Sequence, residues 1–340
     1  GILNMKRRHA WLLCAWLAFP TLAARQVVDD AGHTVTVPDR VHAIADGWFA
    51  HHSVLMTLGA GSQIVATVNH PDSQPWMFKI APTLNQALQV RGSAFNPESL
   101  LAKRVDVVFT SKGNDKAQAY RQAGLPTLEM AFTDYPSLMK SVTTTAEVLG
   151  TADAQARAKS YNHYLQTALD SVQRKTQGLT VAQRPTVLHI QSLKPLKVDG
   201  SHTLIDTWIN LAGGQNAAVG IAGNMKEVSA ERVLAWQPDV IILGANCGAL
   251  ADSPYAELFS GLKAVKTGNV VQNPAGVFPW DRYGTESALQ IQWAAQILHP
   301  DLFPGVDMAK VTQDFYRQFF DYSLNADEVQ RILHAQPPIK

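Results

Sequence analysis

Between residues 26 and 333, short apolar runs alternate with stretches of helical periodicity. The opening, residues 26–38, alternates apolar and polar positions on either side of a turn at Gly32, as a hairpin does. Strands are predicted at residues 41–45, 64–68, 105–110 and 127–130, with helices up to Leu58 and over 97–102, 115–123 and 135–149. The longest helical stretch, 151–176, contains no Gly or Pro, and Gly178 follows as a stop. The alternation then resumes, with strands at 186–191, 197–199, 240–243 and 270–272 and helices over 203–212, 230–236 and 285–298. Residues 308–333 read as a final helical segment. Strands separated by helices need crossover connections, so the expected fold is α/β, with two mostly parallel-sheet lobes joined by one long helix.

One unit occurs twice. Asn96-Pro97-Glu98-Ser99-Leu100-Leu101-Ala102, followed by Val105-Asp106-Val107-Val108-Phe109, is echoed by Ser229-Ala230-Glu231-Arg232-Val233-Leu234-Ala235 and then Pro238-Asp239-Val240-Ile241-Ile242. Glu98 aligns with Glu231, Leu101 with Leu234 and Asp106 with Asp239. Each copy reads as a capped short helix running into a buried strand. A single recurrence half a chain away indicates two related lobes rather than a solenoid. The expected division is 25–150 for the first lobe, 151–178 for the connecting helix and 179–340 for the second lobe.

Length and composition narrow the class. A chain of 340 residues exceeds the usual single core, and 46% hydrophobic with 17% charged residues is a globular balance. At the N-terminus, Lys6-Arg7-Arg8 precede an apolar run from Trp11 to Phe19 and the small residues Ala23 and Ala24. Residues 1–24 are therefore expected to be a secretory signal starting at Met5, with Gly1–Asn4 a non-native leader. Cys14 follows Leu13, which is too large for a lipid-attachment site. Removing residues 1–23 takes away three basic and no acidic side chains, leaving 26 basic against 28 acidic. That balance has no basic cluster for nucleic acid. Of two cysteines only Cys247 remains, so no internal disulfide can form.

The order and spacing of these elements resemble the periplasmic substrate-binding proteins of ABC importers for ferric siderophores, haem and cobalamin. The likeness runs over residues 25–320, from Asp29-Asp30-Ala31-Gly32-His33-Thr34-Val35-Thr36-Val37-Pro38 through both Glu-containing units to Ile291-Gln292-Trp293-Ala294-Ala295-Gln296-Ile297-Leu298-His299-Pro300-Asp301-Leu302-Phe303. The resemblance implies a ligand cleft between the lobes. It also implies that Glu98 and Glu231, one per lobe, dock onto arginines of the permease. Read as residues alone, both are equally suited to the first turn of a helix, where a carboxylate favours the dipole.

In a parallel α/β sheet, the loops after the strands line the cleft. Those loops bring Asp46, Trp48, Phe49, His51, His52, His70, Trp76, Lys112 and Tyr135 from the first lobe. From the second come Ser192, Lys194, Asn246, Cys247 and the run Phe278-Pro279-Trp280-Asp281-Arg282-Tyr283. The expected ligand-binding set is Trp48, His51, His52, His70, Trp76, Lys112, Trp280, Arg282 and Tyr283. Aromatic walls with cations suit an anionic organic chelate, and His51, His52 or His70 are candidates to complete a metal's coordination, with Tyr135 or Tyr283. Adjacent His51 and His52 cannot face the same way on a helix, so at least one belongs to the scaffold.

The expected cargo is thus a ferric siderophore or other metal chelate, with no resident cofactor and no catalytic residues. The expected partners are the importer's permease and ATPase, and the chain is expected to be a monomer. The alternatives are the same fold carrying a transition metal, nickel–histidine, haem, cobalamin or an oxyanion. A secreted α/β enzyme is the remote alternative, and no Gly-x-Ser-x-Gly, His-Glu-x-x-His or phosphate-loop motif supports it.

Overall fold

A computed structural model describes residues 24–340. The expected export signal falls almost wholly outside these residues. Strands β1 (Ala24–Val28) and β2 (Thr34–Pro38) form the opening antiparallel hairpin. The first lobe is then built on five parallel strands: β3 (Ile44–Asp46), β4 (Ile64–Thr67), β5 (Leu88–Gln89), β6 (Val107–Ser111) and β7 (Thr127–Met130). They lie in the order β5-β4-β3-β6-β7. Strands β3 and β7 are wholly buried, as is β6 up to its last residue, so that even the polar Asp46, Thr110, Thr127 and Glu129 are enclosed in a sheet covered on both faces.

The second lobe holds β8 (Thr186–Leu193), β9 (Leu196–Val198), β10 (Gln215–Asn216), β11 (Lys226–Glu227), β12 (Val240–Leu243) and β13 (Val270–Gln272). Their order is β11-β9-β8-β12-β13, with β10 beside β8. Strands β8, β12, β13 and β10 run parallel, whereas β9 runs antiparallel to both of its neighbours, β8 and β11, so this sheet is mixed.

The duplicated unit has a definite structural job. Helix Pro97–Ala102 feeds β6 and helix Ala230–Trp236 feeds β12, capped by the Asn96 and Ser229 side chains. Each helix ends on a left-handed residue at the same offset, Arg104 (φ 54°) and Gln237 (φ 45°). The aspartate that follows pins the neighbouring central strand. Asp106 Oδ2 accepts from His42 N at 2.7 Å and Ala43 N at 2.9 Å, ahead of β3. Asp239 Oδ2 accepts from Thr186 N at 2.9 Å, at the start of β8.

Helix Ala152–Thr176 links the sheets, with Thr151 as its N-cap. Behind the cleft the two halves are fastened by polar contacts as well as by packing. Tyr161 donates to Thr285 O at 2.6 Å, Thr57 Oγ1 lies 2.9 Å from Thr285 Oγ1, and Thr285 N donates to Ser53 Oγ at 3.1 Å. One apolar core runs through both sides of this junction, from Val54 and Tyr161 to Leu204 and Trp293.

The final segment differs from the single stretch expected. It is two helices, Met308–Phe320 and Ala326–Leu333. Left-handed Asp321 ends the first, and Asn325 with Glu328 forms a capping box that starts the second. These helices also reach the first lobe: Trp76 Nε1 donates to Gln336 O at 2.9 Å, and Glu328 lies 3.6 Å from Lys79. Residues 308–340, placed by sequence in the second lobe, therefore pack across both.

Candidate functional site

The carboxyl ends of β3, β6 and β7 face the segment after β13, and aromatic rings meet there. Trp48, following β3, packs on Phe132, following β7, with centroids 5.1 Å apart. Phe132 in turn meets Tyr283 of the second lobe at 5.9 Å. Phe49 stands exposed beside them. Tyr135, the aromatic expected from sequence after β7, is buried in the core, and burial pushes its phenol well up. Phe132 is the ring that reaches Tyr283.

The histidines sit below this wall. Imidazole His51 is fully buried, its Nδ1 2.8 Å from Asp46 Oδ2 and its Nε2 3.0 Å from Thr145 Oγ1. His52 donates from Nδ1 to Trp48 O at 3.0 Å and accepts at Nε2 from Thr67 Oγ1 at 2.6 Å. Burial lowers its pKa. All four ring nitrogens are engaged, so neither residue has a lone pair to offer a metal without breaking a buried hydrogen bond. His70 differs. Its Nε2 lies 2.7 Å from Val90 O, which fixes the tautomer and leaves Nδ1 without a partner among the described residues.

The other expected site residues divide. Lys112 is exposed beyond β6. Trp76 belongs to the core, held by its bond to Gln336. Trp280 is buried, and its Nε1 donates to Glu286 Oε2 at 2.9 Å. Glu286 also accepts from Phe278 N at 2.8 Å and from Tyr316 Oη, which anchors the loop from below. Burial pushes this carboxyl up to about 7.

Arg282 is buried against the cleft wall, its guanidinium carbon 5.7 Å from the Tyr283 ring centroid. Its Nη1 donates to Gln191 Oε1 at 3.1 Å and to Asp199 Oδ1 at 3.2 Å. Asp199 belongs to a buried network that sequence reading passed over. His189, inside β8, places Nδ1 2.7 Å from Asp199 Oδ2 and Nε2 2.6 Å from Asp281 Oδ2. Burial disfavours the imidazolium, yet the two carboxylates overcome it and push its pKa up to about 9. Burial likewise opposes charge on Asp199, but the His189 bond and charge, with Arg282, bring its carboxyl down to about 2. Two cations and two anions thus cancel in the wall. The available signals were a histidine flanked by apolar residues inside β8 and an aspartate directly after β9.

Beside Arg282, at the carboxyl ends of β8 and β12, opens a pocket of about 390 Å³ lined by Gln191, Ser192, Lys194, Asn246 and Cys247. Burial pushes the Cys247 thiol up to about 11, so it stays protonated. The loop after β10 completes the wall. Asn224 Nδ2 donates to Tyr283 Oη at 2.7 Å, and Met225 N donates to Asp199 Oδ1 at 2.9 Å. That loop lies so close to Gly200 that a Cβ there would stand 2.1 Å from Ile221 O.

Glu98 and Glu231 are both exposed, each in the first turn of its copy of the duplicated helix. Two sheet lobes on one long helix, with an aromatic and charge-paired wall between them, define a two-lobe solute-binding protein. The chain belongs to the periplasmic binding protein family, whose pattern matches residues 65–276. It is a periplasmic substrate-binding protein of an ABC transporter, of a family whose members work with a permease and ATPase. Among the described residues no helix is long and apolar enough to cross a membrane.

Three relatives frame it. The molybdate-binding protein MolA of Haemophilus influenzae is 24% identical over 362 residues, covering 96% of this chain and all of that protein. Its molybdate-bound structure superposes with a TM-score of 0.79 at 21% identity, over 88% of this chain and 99% of that one. A periplasmic solute binding protein of Veillonella parvula gives a TM-score of 0.79 at 25% identity, covering 91% of this chain and 97% of that one. CeuE of Helicobacter pylori, solved with Ni(II) bound, gives 0.72 at 21% identity over 91% and 99%.

Proposed function

We propose that the cargo is a compact anionic metal species bound at Arg282, with a metal oxyanion such as molybdate as the leading reading and a small ferric chelate as the second. The observation that carries this is Arg282 beneath Tyr283, in a cleft narrowed by the Phe132–Tyr283 contact at 5.9 Å. A guanidinium offers planar paired donors suited to oxygen anions. A bare cation finds little support, because His51 and His52 spend their nitrogens on the scaffold. The bulky siderophore expected from sequence ranks lower, since two rings meet where it would lie. Full-length similarity to a molybdate-binding protein supports the same order. A chelate would still find one metal-facing candidate in His70 Nδ1.

Delivery uses the rims. Glu98 and Glu231 are the proposed contacts to permease arginines, one per lobe, where bidentate pairing is strongest.

The test is a titration of tryptophan fluorescence, with Trp48 and Trp280 near the wall as reporters. Molybdate, a ferric siderophore, nickel and nickel–histidine are compared in the wild type and Arg282→Ala. A saturable molybdate or ferric response that disappears in Arg282→Ala supports the reading. Saturation by bare nickel, or an anion response indifferent to Arg282, overturns it.

A further inference from the structure

We infer that Asp199, backed by His189 and Asp281, is a positioning residue that locks the orientation of the Arg282 guanidinium before any ligand arrives. This rests on the reading that Arg282 meets the cargo. Asp199 accepts from three separate parts of the second lobe: Arg282 after β13, Met225 N of the loop after β10, and His189 of β8. Both of its oxygens are committed, Oδ1 to Arg282 and Met225, Oδ2 to His189. Asp281, next to Arg282 in sequence, holds the far side of the same imidazole. The arginine is thus fixed both through its side chain and through its neighbour's.

Arg282, Tyr283, Asn224 and Met225 form the second-lobe wall, and each is tied to Asp199 directly or through one further contact. A flexible arginine would lose conformational freedom on grasping an anion, and a locked one does not. The network carries no net charge, so Arg282 acts as an aimed pair of donors at short range rather than a long-range attractor. The ligand class that follows is a small anion presenting at least two oxygen acceptors to one planar fork.

Two measurements test this. The first needs no ligand: nitrogen–proton NMR of the arginine side chains, with the Arg282 signal assigned by its loss in Arg282→Lys. The expected result is slow guanidinium exchange in the wild type and fast exchange in Asp199→Asn and His189→Gln, with amide spectra showing a retained fold. Guanidinium exchange that is unchanged in Asp199→Asn overturns the proposal. The second is the molybdate titration in the same proteins, where Asp199→Asn is expected to weaken binding by about tenfold or more. Loss of binding in Arg282→Ala with none in Asp199→Asn refutes the positioning role while leaving the site reading intact. No effect from Arg282→Ala refutes the site reading, and the NMR result then stands by itself.

Discussion

Raising the pH should weaken this fold through one residue, His189. Its pKa stands at about 9 in the folded chain against an ordinary 6.5, because two buried carboxylates outweigh burial. A group raised on folding contributes stability that is complete below its unfolded value and is lost as pH climbs through its folded value. At 1.36 kcal/mol per pH unit, this gap corresponds to about 3 kcal/mol near pH 6. The same relation leaves about 2 kcal/mol near pH 7.5 and less than about 1 kcal/mol near pH 9. Asp199, at about 2, reflects the same pair from its other side and is not added. Its own contribution is complete above about pH 4 and is lost as pH falls toward 2.

Urea unfolding followed by tryptophan fluorescence measures the effect, and Trp208, whose ring lies 5.9 Å edge-on from His189, is a built-in reporter. The wild type is compared with His189→Gln at each pH, so that titrations elsewhere cancel. The stability difference should shrink by roughly 2–3 kcal/mol between about pH 6 and 9. A difference that stays flat, or grows with pH, would refute the buried imidazolium.

Other expectations follow from separate contacts. Glu98→Ala with Glu231→Ala should leave molybdate affinity unchanged and abolish uptake in cells, while costing no more than about 1 kcal/mol per helix because both caps remain; normal transport would return both residues to a purely helical role. Asp106→Ala should destabilise by about 1–3 kcal/mol by stranding two backbone donors, and adding Asp239→Ala should be nearly additive in urea, since the two lie in different sheets. Phe315→Ala should cost about 3–5 kcal/mol in the same assay, because this fully buried ring packs against Tyr161 and Phe319. Glu286→Gln should flatten the loss of stability between about pH 4.5 and 7 that a carboxyl raised to about 7 imposes.

Strands β7, β12 and β13 and the helices Tyr135–Leu149 and Ala230–Trp236 were legible to the residue, since Gly, Pro and Asn bound the strands and caps mark helix starts. The break at Asp321 was not, because amphipathic periodicity continues on both sides of it. Arg282 and Tyr283 were visible in sequence as loop residues beyond the last strand of the second sheet. His51 and His52 were misleading for a physical reason: sequence shows a side chain's donors but not whether Thr145, Thr67 or a carbonyl has claimed them. The network around His189 was hidden because Asp281 is 92 positions away, and only the sheet brings them together.

The two C-terminal helices carry a consequence for how the protein comes into being. Phe315, Phe319 and Phe320 fill the same core as Val54, Met56 and Trp76, and Trp76 finds its hydrogen-bond acceptor at Gln336. The first sheet's lobe is finished by residues as far as 260 positions away in sequence. A core assembled from such distant segments cannot close on the first lobe's own residues, so that lobe becomes a finished body only once residues 308–336 have docked.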